Sequence, residues 1–459
     1  MWRYFALRRI SNVFLETLLL ACCGLGGHFV HFSEFPPDLG EGIFLFCRTL
    51  IVAVLFQLSL HLCDVYHYGQ QLSAKFYWRL FRAVVLAVLI SCVVFYIAPW
   101  TSIGQRVFAL NLIFVSLFVF LWHIILRPYL RKRIRRTNLL IIGAGELSLA
   151  AVREVLDFPE LGIRIVGFIA DASDADAVSS VNAKIVGNYH DFTNLVTEHS
   201  VNHIVVGLSD RRKKLPIETL LDLKTKGVVI EDVTAFYERV TGKIPVENLM
   251  PSWLVFNRGF DVSKDTILKK RVFSIFLALV LSVLTSPLLL LATVIIKLDS
   301  KGPVFYKQSR VGKNGRVFTL VKFRSMRQNA EKLTGPVWST PGEDNRVTRV
   351  GRFLRRSRID ELPQLYNVLL GDMDMVGPRP ERPVFVEQLS RDIPYYPLRH
   401  TVRPGITGWA QVSYGYANKI EHTVQKLQYD LFYIKNLSLA LDLMVIFETV
   451  KTVLVRKGS

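Results

Sequence analysis

Long apolar runs constrain this chain more than any other feature. Val13–Val30, Ile43–Leu62, Val84–Ala98 and Val107–Leu126 are dominated by Leu, Val, Ile and Phe, the third extended by Leu80 and Phe81. A bilayer core takes about 20 such residues as helix, because a backbone in lipid must satisfy its own hydrogen bonds. The pattern predicts a four-helix transmembrane bundle over residues 1–136. Cys22, Cys23 and Gly24 imitate a small-residue cleavage site, but further spans follow at once, so a signal peptide is not expected. Mean hydropathy over the whole chain is +0.30.

Charge orients the bundle. Arg3, Arg8 and Arg9 precede the first run, Lys75, Arg79 and Arg82 lie between the second and third, and Arg127–Arg136 is strongly basic after the fourth. The intervening stretches carry little positive charge, so the basic segments and everything downstream belong on the cytoplasmic face. The net charge of +19 fits lipid headgroups and a diphosphate substrate. Nucleic acid is not expected, since no zinc spacing or RNA-binding motif accompanies the charge. All five cysteines fall before residue 93 with no CxxC, which argues against structural zinc and a disulfide framework.

Short apolar runs then alternate with helical stretches: Asn138–Ile142, Ile163–Ala170, Lys184–Val186, His203–Gly207 and Val228–Ile230. Alternation of this kind implies a parallel sheet, a Rossmann-like α/β domain over 137–262. Gly143-Ala144-Gly145 resembles a dinucleotide fingerprint, but Ser148 stands at its third glycine position. A role in subunit contact, within a homodimer, is expected ahead of NAD binding.

A fifth apolar run, 272–298, is different. Lys269, Lys270 and Arg271 precede it and Lys297 and Lys301 follow, with Ser286-Pro287 inside. Proline removes a backbone donor and kinks a helix. Positive charge on both flanks suits a re-entrant helix with both ends on one side. A fifth ordinary span with a proline kink is the other reading, and it would put the C-terminal part outside the cell.

From Gly302 onward the chain is basic and rich in polar motifs. Arg346, Arg349, Arg352, Arg355 and Arg356 recur at helical spacing, suiting a solvated or headgroup-facing side. Asp360-Glu361 precede Pro363, which belongs in a helix's first turn. Two adjacent carboxylates can divide nucleophilic and metal-binding work, or merely cap the helix.

Taken together, Lys322-Phe323-Arg324-Ser325-Met326, Asp360-Glu361-Leu362-Pro363-Gln364-Leu365, Gly377-Pro378-Arg379-Pro380, Arg403-Pro404-Gly405-Ile406-Thr407-Gly408-Trp409-Ala410-Gln411 and Tyr429-Asp430-Leu431-Phe432-Tyr433-Ile434-Lys435 resemble the bacterial sugar transferases, the polyprenyl-phosphate hexose-1-phosphate transferases. The likeness covers about Lys269–Lys457. It implies an α-rich phosphoglycosyl transferase domain over 263–459, entered by a re-entrant helix broken at Ser286 and Pro287. It further implies a UDP-sugar donor, a polyprenyl phosphate acceptor in the bacterial inner membrane, attack by Asp360 through a covalent phosphosugar intermediate, and Mg²⁺ held by Glu361. Arg379, Arg355, Lys322, Arg324, Arg403 and Asp430 are the implied substrate- or phosphate-binding set. Asp374 stands where many relatives carry serine. A membrane-bound nucleotide-sugar dehydratase is the rival enzyme, but no Tyr-x-x-x-Lys pair is present. A non-catalytic assembly scaffold is the other alternative, which the intact Asp360-Glu361 pair opposes.

Overall fold

The computed structural model describes residues 39–63, 65, 74–99, 105–121, 137–157, 161–188, 192–208, 217–248, 259–260, 263–327, 346–414 and 420–454, together with 17, 21, 22 and 25. The run Val13–Val30 and the basic linker 127–136 fall almost wholly outside them. The chain divides into two compact units, Met1–Thr241 and Gly242–Ser459.

The first unit opens with helices α1 (Leu39–Leu62), α2 (Ala74–Ile97) and α3 (Gln105–Leu121). Val52, Phe56 and Leu60 of α1 pack with Phe76, Leu80, Ala83 and Ala87 of α2 and Val115 and Val119 of α3. Polar residues inside the helices satisfy themselves: Thr49, Ser59 and Ser91 donate to the carbonyls of Leu45, Leu55 and Ala87 at 3.1, 2.8 and 2.7 Å. In hydrocarbon no water could do this for them. α2 begins earlier than the sequence pattern suggested. Lys75, Arg79 and Arg82 therefore lie in its first turns rather than in a loop, interleaved with Phe76, Trp78 and Phe81.

The apolar runs that follow become β1 (Thr137–Ile142), α4 (Glu146–Asp157), β2 (Ile163–Ile169), α5 (Ala175–Ser179), β3 (Ile185–Gly187), α6 (Phe192–Glu198), β4 (His203–Val206), α7 (Ile217–Thr225), β5 (Val229–Asp232) and α8 (Val233–Thr241). The strands form one parallel sheet in the order β3-β2-β1-β4-β5. The crossover between β1 and β4 is the switch point of a Rossmann-like fold. Ser148 on α4 is fully buried against Gly207, where an added Cβ would sit 2.0 Å from its Oγ. The close helix–strand approach that a third glycine usually permits is thus preserved by a glycine on the opposite element.

The second unit starts, by its contacts, before the expected boundary at 262/263. Trp409 Nε1 donates to Gly242 O at 3.0 Å and Ile244 N to Gln428 O at 3.1 Å. Its long helix α9 (Lys264–Asp299) has 36 residues, about 54 Å at 1.5 Å per residue. Ser263 caps it, its hydroxyl accepting from Thr266 N. Pro287 deprives the Val283 carbonyl of its helical donor, and Ser286 Oγ supplies the missing bond at 2.8 Å. Only 11% of the most apolar stretch of α9 is buried within the chain, against 44% for α1, so α9 offers its apolar surface elsewhere. Among the described residues, α1, α2 and α9 are the three helices long and apolar enough to cross a membrane. The chain is a helix-rich membrane protein with a parallel sheet.

Both ends of α9 are fastened to this unit. At the N-terminal end Lys270 Nζ donates to Val376 O and Asp442 Oδ2, both at 2.7 Å, and to the Tyr433 hydroxyl, while Met375 N donates to Ser274 Oγ at 3.2 Å. Arg271 holds Met373 O, Val368 O and Asp374 at 2.9, 2.6 and 3.1 Å. At the C-terminal end Ala292 and Ile296 pack with Phe323 and Leu354. Of the positive charges before the apolar run, Lys269 is exposed, but Lys270 is only 4% exposed and Arg271 is largely covered.

The rest of the unit comprises hairpin β6 (Phe305–Val311) and β7 (Val317–Phe323), α10 (Arg349–Arg356), α11 (Gln364–Leu370), β8 (Asp374–Val376), α12 (Pro383–Asp392), β9 (Gly405–Thr407), α13 (Trp409–Ser413), α14 (Ile420–Lys435) and α15 (Leu439–Leu454). β8 and β9 pair in parallel. Their flanking glycines let two loops touch backbone to backbone: a Cβ on Gly405 would lie 2.0 Å from Gly377 N. The Gly-Pro-Arg-Pro and Arg-Pro-Gly motifs, far apart in sequence, are thereby one structural piece.

Candidate active site

Asp360 and Glu361 occupy a 3₁₀ turn, Ile359–Glu361, between α10 and α11. Neither acts as a helix cap, since the N-cap positions Arg358 and Pro363 carry no side-chain cap. That removes the bland reading of the pair. Asn367 of α11 fixes the turn against β7, its amide donating to Thr319 O at 2.8 Å and its oxygen accepting from Val321 N at 3.1 Å. The next inward-facing side chain of β7 is Lys322, which reaches Glu361.

Three cations converge on Glu361. Lys322 Nζ lies 2.9 Å and Arg379 Nη2 3.0 Å from Oε1, and Arg358 Nη1 lies 3.6 Å from Oε2. Burial alone would raise its pKa, but Lys322, Arg379 and Arg358 overcome that and hold it well below the carboxylate range. Asp360 differs sharply. It is as buried as Glu361, at 8% exposed, but its Oδ1 has no hydrogen-bond partner. Burial first, and the adjacent Glu361 charge second, push its pKa up to about 6 against Lys322, Arg355 and Arg358. One carboxylate is neutralised by its neighbours, and the other is poised, poorly solvated and unengaged.

The remaining expected residues divide. Arg355 lies beside this centre, its Nε donating to Ser325 Oγ at 2.9 Å while its charge acts on Asp360. Arg324 does not reach the carboxylates. It donates to Ser300 O at 2.7 Å and Lys301 O at 3.1 Å, closing the C-terminal end of α9. Asp430 is buried 2.8 Å from Arg399, and burial raises its pKa to about 6 despite that pairing. Arg399 in turn donates to the Arg379 carbonyl at 2.9 Å, so Asp430 supports the Arg379 loop from behind. Arg403 donates to Gly371 O at 3.0 Å and lines a cavity of about 340 Å³ with Lys313 and Thr401, which Asp360 and Glu361 do not line. Ser286 and Pro287 lie in the middle of α9. The charge of Asp374 is matched by Arg271 at 3.1 Å, so it does not act as a loose anion at the site.

Sequence reasoning missed Arg358, Arg399 and the Lys270–Tyr433–Asp442 cluster. A cationic residue two positions before Asp360 was a signal in plain view for Arg358. The others depend on partners up to 172 residues away, which no local pattern reports.

Among the described residues no three His, Cys, Asp or Glu side chains come together to hold a metal by themselves. Two adjacent carboxylates, one with an unengaged buried oxygen, are nonetheless the donor set that Mg²⁺ takes when substrate phosphate and water complete its shell.

Buried paired carboxylates ringed by Lys and Arg thus sit on the unit that carries the long apolar helix α9. Residues 265–456 match the family profile described as bacterial sugar transferase, and residues 61–228 match one described as a CoA-binding domain. The chain is 30% identical over 467 residues to the UDP-glucose:undecaprenyl-phosphate glucose-1-phosphate transferase of Klebsiella pneumoniae, covering 94% of this chain and 93% of that protein. It is 33% identical over 326 residues to the enzyme of the same name from Escherichia coli K12, covering 69% and 67%. It is 47% identical over 222 residues to the UDP-N-acetylgalactosamine-undecaprenyl-phosphate N-acetylgalactosaminephosphotransferase of Aeromonas hydrophila, covering 48% of this chain and about half, 51%, of that one. The protein belongs to the bacterial sugar transferase family.

Proposed function

We propose that the protein transfers a hexose-1-phosphate from a UDP-sugar to polyprenyl phosphate, releasing UMP, at the cytoplasmic face of the bacterial inner membrane. The observation that carries the chemistry is the split between Asp360, buried and unengaged, and Glu361, held ionised by three cations. An Asp360 oxygen attacks the β-phosphorus and the bond from that phosphorus to the bridging oxygen breaks, so UMP departs with the bridging oxygen. A phosphate oxygen of the polyprenyl acceptor then attacks the same phosphorus and the aspartyl–phosphorus bond breaks. Polyprenyl diphosphate sugar is formed and the carboxylate is restored. Arg379 and Lys322 neutralise the diphosphate, and Arg355 steadies the charge of Asp360. Mg²⁺ bound by Glu361 would supply further neutralisation of that diphosphate. Detergent-purified protein, given Mg²⁺, polyprenyl phosphate and a panel of UDP-sugars, should release UMP with at least one of them. A modified sugar without UMP would point to a dehydratase, and no change in any sugar would point to a scaffold.

An acid limb follows from Asp360. The nucleophile must be ionised, and its pKa is raised to about 6. The kcat/KM of UMP release should therefore fall as pH drops through about 6. The limb should move to lower pH as Mg²⁺ is increased, since a bound cation favours the ionised form. A limb near the ordinary carboxylate value at low Mg²⁺ would contradict this environment for Asp360.

The same proposal makes α9 re-entrant. One unit grips both Lys270–Ser274 and Ala292–Ile296. A helix spanning a core of about 30 Å would leave its ends on opposite sides of the membrane. Cysteines placed at Lys264 and Lys313, in a variant stripped of native cysteines, should both escape labelling from the periplasm. Labelling at position 313 alone would establish a span. Pro287→Ala, restoring a donor to Val283 O, should favour the straighter, spanning form.

For the first unit the proposal is subunit contact in a homodimer. Ile217 and Leu221, one turn apart on α7, and Val229 on β5, the last strand of the sheet among the described residues, are each more than half exposed.

A further inference from the structure

Arg358 occupies a backbone conformation that its own side chain does not favour. Its φ and ψ are 57° and 14°, the left-handed region, at the junction of α10 with the turn that carries Asp360. Glycine or asparagine would make that bend at lower cost. What arginine adds is a guanidinium directed back across the turn to Glu361 Oε2, at 3.6 Å.

Arg379 meets the other oxygen, Oε1, at 3.0 Å, so the two guanidiniums bracket one carboxylate. They are also the outward members of the cluster. The Arg358 and Arg379 side chains are 29% and 33% exposed, whereas Lys322 is 18% and Glu361 11% exposed. Two carboxylates face Lys322, Arg355, Arg358 and Arg379 here, an excess of positive charge that suits an incoming anion. At 3.6 Å the Arg358–Glu361 contact is a loose ion pair, and guanidinium donors bind phosphate oxygens in charge-assisted pairs.

We infer that Arg358 is a substrate-binding residue that takes a phosphate oxygen of the nucleotide-sugar diphosphate, opposite Arg379. This rests on the UDP-sugar reading above and adds to it the residue and its side of the site. The turn positions the guanidinium before substrate arrives, which lowers the ordering cost of binding.

Equilibrium binding of UDP-glucose in Mg²⁺ to the full-length protein carrying Asp360→Asn, in which no adduct forms, tests the role separately from turnover. Arg358→Gln keeps a polar side chain and the same backbone demand at φ > 0 without the charge. It should weaken binding roughly 10- to 100-fold, the range for losing a charge-assisted bond. Arg358→Lys should recover part of that loss. Arg358→Gly, which relieves the left-handed turn, should melt no lower than the wild type yet bind as weakly as Arg358→Gln. In turnover the loss should fall on the KM for UDP-sugar, with the KM for polyprenyl phosphate unchanged. Unchanged affinity in Arg358→Gln, or equal losses for both substrates, would overturn the assignment. UDP-glucose binding with this Arg358 dependence, with no UMP released by the wild type, would contradict the transfer reaction and leave the Arg358 contact standing.

Discussion

Asp442→Ala should be among the most damaging single substitutions outside the active site. Lys270 and Asp442 are 5% and 1% exposed and 2.7 Å apart, with the Tyr433 hydroxyl donating to Asp442 Oδ1 at 2.6 Å. Removing one partner strands a buried ammonium, which costs about 3–5 kcal/mol. For a unit of this size that is a drop of roughly 10 °C in melting temperature. The loss should not stay local. The same Lys270 ammonium binds Val376 O, at the start of the segment that carries Arg379. Melting followed in detergent, with hydrogen exchange on β8 and the first turns of α9, checks both effects. Replacing Lys270 and Asp442 together by apolar residues of similar size should recover most of the stability, because no unpaired charge remains. A loss within about 1 kcal/mol for Asp442→Ala would show that the pair is not the anchor.

The parallel sheet was legible because its signal is local. Apolar runs of strand length, separated by helical stretches, gave all five strands to within two residues at each end, and the turn Gly143-Ala144-Gly145 fell where β1 meets α4. The Asp360-Glu361 centre was legible because both acids, Lys322, Arg355 and Arg379 belong to short motifs that resemble one family. Tertiary partners decided what sequence could not. Lys270 and Arg271 look like membrane-flanking charges, yet they are consumed by Asp442, Asp374 and main-chain carbonyls of Val376, Met373 and Val368. Arg324 shares a motif with Lys322 but lies just past the end of β7 and turns to the end of α9. Asp430 belongs to a motif implied to contact substrate or support the site, and its partner, Arg399, which holds the Arg379 loop, comes from elsewhere in the chain. A motif marks the residue type a site needs, whereas the opposing wall of a buried ion pair is written elsewhere in the chain.

Asp360→Asn should abolish chemistry outright. An amide oxygen is a poor nucleophile, and the change removes the one carboxylate oxygen of the pair that is buried and unengaged. Glu361→Gln should behave differently. It keeps the nucleophile but loosens Lys322, Arg358 and Arg379, so activity should fall severely with an altered Mg²⁺ requirement while some adduct still forms. Intact-protein mass spectrometry of the enzyme with UDP-sugar and Mg²⁺, and no lipid acceptor, tests the central claim most directly. The expected result is a mass increase of one hexose phosphate that maps to Asp360, accompanied by UMP, absent from Asp360→Asn and discharged by polyprenyl phosphate. An adduct that persists in Asp360→Asn, or turnover that needs both substrates together and forms no adduct, would contradict it.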